Sequence, residues 1–151
     1  MEFEKRKLNR LEDYDYSQNG AYFITICVKD RKPILSKIVG DDAHIVPQKY
    51  GMVVEKYINN VTEITKYVIM PDHIHIIIKI ENGTMWASSP TNRVATIVRS
   101  LKTLTTKEIG KPIFQRSYYD HVIRNQNDYN DVWEYIENNP KKYLLKQNQD
   151  G

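Results

Sequence analysis

A single cysteine, Cys27, stands in the 151 residues, so no internal disulfide can form. Nothing in the composition calls for an oxidising compartment. No apolar run is long enough to span a bilayer. The opening MEFEKRKLNR is charged and has no apolar centre, which argues against a secretory signal. Excess charge is also slight: 22 Lys and Arg against 19 Asp and Glu give a net charge of +3. That balance permits a nucleic-acid partner without demanding one. No internal repeat is visible, and no composition shift marks a second domain. The length suits one domain that buries a core without staples. The expectation is therefore one domain over residues 1–151, flexible at 1–15 and 146–151, in a cytoplasmic protein.

Tyrosine is plentiful instead, its 11 residues outnumbering the 3 Phe and 2 Trp together. Basic residues gather at Lys5, Arg6, Lys7 and Arg10. They recur in the second half at Arg93, Arg99, Lys102, Lys107, Lys111, Arg116 and Arg124, while acids collect between Asp128 and Glu137. Any one of these charges reads first as solvated surface.

AYFITICVKD, residues 21–30, is β-branched and aromatic between Asn19-Gly20 and Pro33, and reads as a strand. Residues 37–51 hold Gly, Asp and Pro and read as a loop or short extended piece. Val53, Val54, Tyr57, Ile58 and Val61 recur at helical spacing. KYVIM, PD and HIHIIIKI then suggest an antiparallel hairpin over residues 66–80. After a loop of turn formers, Val94, Ile97, Val98, Leu101 and Leu104 form one helical stripe, closed by Gly110 and Pro112. SYYDHVIRN reads as a strand. QNDYNDVWEYIENNP reads as a last helix, capped by Asn127 or Asp128 and stopped at Pro140. The order strand, helix, strand, strand, helix, strand is that of an α+β, ferredoxin-like (RRM-like) antiparallel sheet. Its helices lie on one face, and a C-terminal tyrosine-bearing helix is added.

The strand YVIMPDHIHIIIKI poses a question: why does so apolar a run carry His73 and His75 on one side? Alternation sends Ile74, Ile76, Ile78 and Ile80 to one face and His73, His75, Ile77 and Lys79 to the other. Imidazoles two residues apart on one strand suit adjacent positions around one metal. Taken alone, the pair reads more readily as two half-exposed strand histidines with no ligand. In the last helix, Tyr129, Val132, Trp133 and Ile136 make the apolar stripe. Tyr135 falls on its flank, one turn before Asn139. Tyrosines often rim a core, so this helix alone favours packing.

Together these two segments resemble a known family, the single-tyrosine HUH transposases, in the branch of the REP-associated tyrosine transposases. The HUH element is His73-Ile74-His75 within VIMPDHIH, where the family usually has Asn at the position of Asp72. YDYSQNGAYFITICVKDR, IVRSLKTLTTKEI and IFQRSYYDHVIRNQNDYNDVWEYIENNPKKY resemble the family's opening strand, second helix, and closing strand with tyrosine helix. The stretch 34–65 matches only in general layout.

The resemblance implies that Tyr135 is a nucleophile. His73, His75 and Asn139 would be ligands of a divalent metal, Mg²⁺ or Mn²⁺. His121 and Asp72 would line the site. It implies single-stranded DNA carrying hairpins as the partner, cleaved and rejoined through a 5′-phosphotyrosine. Lys5, Arg6, Lys7, Arg10, Arg99, Lys102, Arg116 and Arg124 are candidate phosphate contacts. Tyr118 and Tyr119 are candidate stacking platforms, and Trp86 is more simply a packing residue. Family members work as dimers that exchange the tyrosine helix or as monomers, and the sequence leaves both open.

Three rival functions stay in view. A replication-initiator or relaxase-type nickase would use the same groups. A domesticated relative would bind hairpins without moving DNA. An RNA-binding module would share the layout, but the aromatic pattern that such sheets carry is missing here.

Overall fold

The structure is a computed structural model, which describes residues 20–81 and 90–150. Alternation in GAYFITIC sets the first strand, β1 (Gly20–Cys27), and a short 3-10 turn at Lys29–Arg31 follows. Next come β2 (Ser36–Val39), β3 (His44–Pro47) and helix α1 (Lys49–Asn59). The centre of the chain forms β4 (Ile64–Ile69), β5 (His73–Ile80) and helix α2 (Pro90–Ile109). Strand β6 (Tyr119–Ile123) leads into helix α3 (Gln126–Asp150). Four strands form one antiparallel sheet in the order β4-β5-β1-β6. This is the expected α+β, ferredoxin-like arrangement. The two central strands, β1 and β5, face each other in register from Gly20↔Ile80 to Cys27↔His73.

Each face of the sheet has its own core. Tyr22, Ile24 and Ile26 of β1 and the even-numbered isoleucines of β5 pack against Val54 and Ile58 of α1. Val94, Ile97, Val98 and Leu101 of α2 close the same cluster. Each such side chain contributes about 1.5–3 kcal/mol over its exposed state. On the other face, Phe23, Val68, Met70, Ile77 and Ile123 meet Val132 and Ile136 of α3. The face that carries the histidines is therefore roofed by the last helix.

Several local readings change. Within residues 37–51 the extended alternative holds, as a hairpin that runs into α1: β2 and β3 pair from Ser36↔Pro47 to Val39↔His44, and Ile38 and Ile45 pack against the second cluster. The turn formers Gly40, Asp41 and Asp42 make the hairpin tip, with Gly40 at φ 78. Gly51, in the first turn of α1, has a steric reason to be glycine. A Cβ there would sit 2.0 Å from the Leu35 carbonyl oxygen.

In α2, Leu104 is 39% exposed and Thr105 is buried instead. From Leu101 the inward position recurs after four residues, not three. The helix closes as expected: Gly110, at φ 96, donates its N–H to the Thr106 carbonyl at 2.8 Å.

In α3, the cap is Asn125, whose side-chain oxygen accepts the Asp128 N–H at 2.8 Å. Asn127 and Asp128, the residues expected to cap it, lie inside the helix. Nor does Pro140 stop the helix, which continues to Asp150. Proline removes one donor, the partner of the Ile136 carbonyl. The following turn still has Tyr143 packed on the second cluster, which favours continuation. Trp133 is 40% exposed and stacks on Tyr129 under the Lys66 ammonium, outside the core stripe assigned to it. Among the described residues, no helix is long and apolar enough to cross a membrane.

Candidate active site

Sheet register brings the chemistry-bearing side chains together. Thr25 lies opposite His75, and Cys27 opposite His73, on the α3 side of the sheet. Both histidines are buried, 7% and 5% exposed. That departs from a half-exposed strand pair and matches groups held by partners. Their rings meet edge to face with centroids 4.6 Å apart and Nε2 atoms 3.1 Å apart. From above, α3 delivers two more groups. Asn139, also buried, brings its Oδ1 within 3.4 Å of His73 Nε2. One turn earlier, Tyr135 stands edge to face with His75 at 5.5 Å, and Phe23 supports both rings.

Each imidazole is held at its other nitrogen. Thr25 Oγ1 lies 2.9 Å from His75 Nδ1. Asp72 Oδ1 lies 2.6 Å from His73 Nδ1. The second Asp72 oxygen accepts from Arg31 Nε at 3.1 Å. Burial pushes the Asp72 carboxyl up, but hydrogen bonds from His73 and Arg31 outweigh it and bring its pKa to about 2. Asp72 thus stays a carboxylate at neutral pH. Asp30 and Arg31 both hold left-handed backbone, φ 58 and 53. Non-glycine residues pay about 1–3 kcal/mol each for that conformation.

These groups fit a divalent cation. Donors about 2.1 Å from one cation and at right angles are about 3.0 Å apart, close to the separation of the two Nε2 atoms. Two imidazoles and an amide oxygen are a donor set that suits Mn²⁺. Among the described residues, no three His, Cys, Asp or Glu side chains are grouped to hold a metal, so the trio depends on the Asn139 amide.

Other sequence candidates lie farther out. His121 is on the same face as Phe23, its partner in register, and pairs with Asp128 at 2.9 Å. Arg99, Arg116 and Arg124 are exposed. Lys102 is half-buried, and its ammonium donates to the carbonyls of Gln115, Arg116 and Ser117. Tyr118 packs against the main core, whereas Tyr119 sits beside Thr25 on the edge strand. Lys5, Arg6, Lys7, Arg10 and Trp86 lie outside the described residues.

Sequence reading missed Phe23, Thr25 and Arg31. The first two become visible once β1 is set in register beside β5. Arg31 gives no signal in KDRKP, because its reach depends on the left-handed turn.

Comparison with known proteins points to one family. The family model described as "Transposase IS200 like" matches residues 16–139. An uncharacterised protein of Haemophilus influenzae is 31% identical over 160 residues, covering 89% of this chain and 88% of that protein. The REP-associated tyrosine transposase of Escherichia coli is 27% identical over 133 residues, covering 85% of this chain and 70% of that protein. A solved structure of a REP-associated tyrosine transposase bound to a REP hairpin matches with a TM-score of 0.61 at 25% identity, over 90% of this chain and 74% of that one. The family model spans the sheet, both imidazoles and the helix of Tyr135 as far as Asn139, and the chain belongs to the IS200-like transposase family.

Proposed function

We propose that this protein is a cytoplasmic transposase that cleaves and rejoins single-stranded DNA beside hairpins, with Tyr135 as nucleophile. One observation carries the reading: the Tyr135 ring stands against His75 where the two Nε2 atoms and the Asn139 oxygen converge. The hairpin partner is argued from the structural neighbour, which was solved with one.

His73, His75 and Asn139 would hold one Mg²⁺ or Mn²⁺. When bound, that cation supplies polarisation of a non-bridging phosphate oxygen and orientation of the scissile bond. Tyr135 does the covalent work. Its phenol loses its proton as the oxygen attacks phosphorus. The bond from phosphorus to the 3′-oxygen breaks, and that oxygen leaves as a 3′-hydroxyl after taking up a proton. A 5′-phosphotyrosine remains. The new ester keeps the energy of the old one, so another 3′-hydroxyl can reverse the step and join strands without a nucleotide cofactor. Phe23 and His75 hold the phenol ring in place from two sides, which limits the entropy lost in reaching the phosphate.

Support for a site completed within one chain comes from α3. It lies on its own sheet and places Tyr135 beside its own histidines. A monomer would then be competent, and exchange of the helix in a dimer would rebuild the same contacts.

The test is a covalent-adduct gel. The native chain and Tyr135→Phe are mixed with single-stranded DNA carrying palindromes from the flanks of the gene, with Mn²⁺ or Mg²⁺ and with chelator. The expected result is a metal-dependent adduct, absent from the Phe variant, and joined strands on adding a free 3′-hydroxyl. Nicking without joining would favour a nickase. Hairpin binding with no adduct under either metal would overturn the catalytic reading and favour a domesticated binder.

A further inference from the structure

We infer that Arg31 is a positioning residue: acting through Asp72, it holds His73 with its proton on Nδ1 and its Nε2 lone pair facing the site. The inference rests on the metal-dependent reading above and deepens it.

The two turns that carry these residues are stitched together. Val28 donates its N–H to the Asp72 carbonyl at 3.0 Å, and Leu35 donates to the Pro71 carbonyl at 3.0 Å. Within this clamp, Asp30 and Arg31 keep left-handed backbone at φ 58 and 53. Such strain persists only where the surroundings impose it. Here the side chain of the strained residue ends at the site. Arg31 Nε binds Asp72 Oδ2 at 3.1 Å, and its terminal nitrogens approach Cys27 Sγ at 3.6 Å and His73 Nδ1 at 3.3 Å.

His73 Nδ1 thus has two neighbours that make opposite demands. A guanidinium only donates, so a bond from Arg31 would need a bare Nδ1. A carboxylate only accepts, so a bond to Asp72 needs Nδ1–H. The shorter contact decides. At 2.6 Å, Asp72 Oδ1 would repel a lone pair on Nδ1, so Nδ1 carries the proton and donates. Arg31 then serves the carboxylate. It occupies Oδ2 and leaves Oδ1 to His73. Two residues along β5, Thr25 Oγ1 lies 2.9 Å from His75 Nδ1 and can accept from it when the proton sits there. In that tautomer of His75 both Nε2 atoms present lone pairs 3.1 Å apart, as two ligands of one cation would. Outer partners of this kind orient a metal-binding imidazole and raise its basicity.

The test uses the full chain, ¹⁵N-labelled, in metal-free and mildly alkaline buffer. Long-range ¹H–¹⁵N spectra of the imidazoles read the tautomer. A Mn²⁺ titration followed by electron paramagnetic resonance, without DNA, reads affinity. The variants are Arg31→Gln, Asp72→Ala and the double variant, with thermal midpoints as the check on folding. The expected native tautomer of His73 is Nδ1–H. Asp72→Ala should move it toward Nε2–H and weaken Mn²⁺ binding by about 10–100-fold. Arg31→Gln should weaken binding by a smaller factor, and should add nothing where Asp72 is already Ala.

A native His73 in the Nε2–H form would overturn the inference. So would an Arg31→Gln effect of equal size with and without Asp72, since Arg31 would then act directly. If Asp72→Ala does not fold, Asp72→Asn replaces it. That variant keeps the acceptor and should keep the tautomer while losing the coupling to Arg31. Failure of the native chain to bind Mn²⁺ would instead count against the metal-dependent reading itself. The tautomer spectrum judges the inference in either case.

Discussion

Tyr135 of the last helix and His75 of the central strand β5 meet edge to face, with ring centroids 5.5 Å apart. Both lean on Phe23, at 5.8 and 5.1 Å. Phe23 is 4% exposed and belongs to the cluster that joins α3 to the sheet. Phe23→Ala should therefore cost about 3–5 kcal/mol. It should also slow adduct formation more than its loss of folded protein explains. Urea unfolding and single-turnover cleavage, compared on the same variant, check this.

Tyr135→Phe separates chemistry from packing. The ring keeps its contacts with Phe23 and His75 and loses only the hydroxyl. Stability should stay within about 0.5–1 kcal/mol of native, while the covalent adduct disappears. A large drop in the urea midpoint would show the hydroxyl to be a structural group.

Metal binding should be readable without DNA. A ligand that binds only the folded chain at 100 times its Kd stabilises by about 2.7 kcal/mol. For a chain of this size that raises Tm by about 5–10 °C. Mn²⁺ should do so for the native protein, chelator should reverse it, and His75→Ala should abolish it. Scanning calorimetry at matched ionic strength decides the matter.

Lys102 is expected to matter for folding. Its ammonium gathers the carbonyls of Gln115, Arg116 and Ser117 ahead of β6. Burial pushes its pKa down, in line with a charge partly removed from water. Lys102→Met keeps the stem and leaves those carbonyls without their donor, so a loss of about 1–3 kcal/mol is expected. Thermal unfolding of the variant tests it.

Glu63 gives the fold one acid-sensitive contact. Burial raises its carboxyl pKa, but the hydrogen bond and charge of Arg93 lower it further, for a net lowering. A carboxylate with a depressed folded pKa contributes stability above its unfolded value of about 4.3, and that stability fades as pH falls through the folded value. The pair is partly exposed, so about 0.2–1 kcal/mol is at stake. Urea midpoints measured from neutral pH into acid should fall less steeply for Glu63→Gln than for native protein.

Periodicity located the sheet and its two flanking helices because their faces are strongly one-sided. It misplaced Leu104 and Trp133, where one further residue turns a side chain by about 100° around the helix. It missed the β2–β3 hairpin because four-residue strands hold too few alternations to read. Pro140 misled for a different reason. A proline costs one hydrogen bond, but Tyr143 beyond it finds a place on the second cluster. The histidines, Tyr135 and Asn139 were legible as motif residues. Thr25, Phe23 and Arg31 were not, because their roles exist only across the sheet or through a strained turn.

The position of α3 along the chain has a consequence in time. Every strand, and with them His73 and His75, is synthesised before Tyr135 and Asn139. At about 5–20 residues per second, a growing chain has its imidazoles for several seconds before it has Tyr135, the proposed nucleophile. During that interval the sheet's histidine face lacks its roof. On the proposed chemistry, the capacity to break DNA would arrive only with the helix that finishes burying the second core.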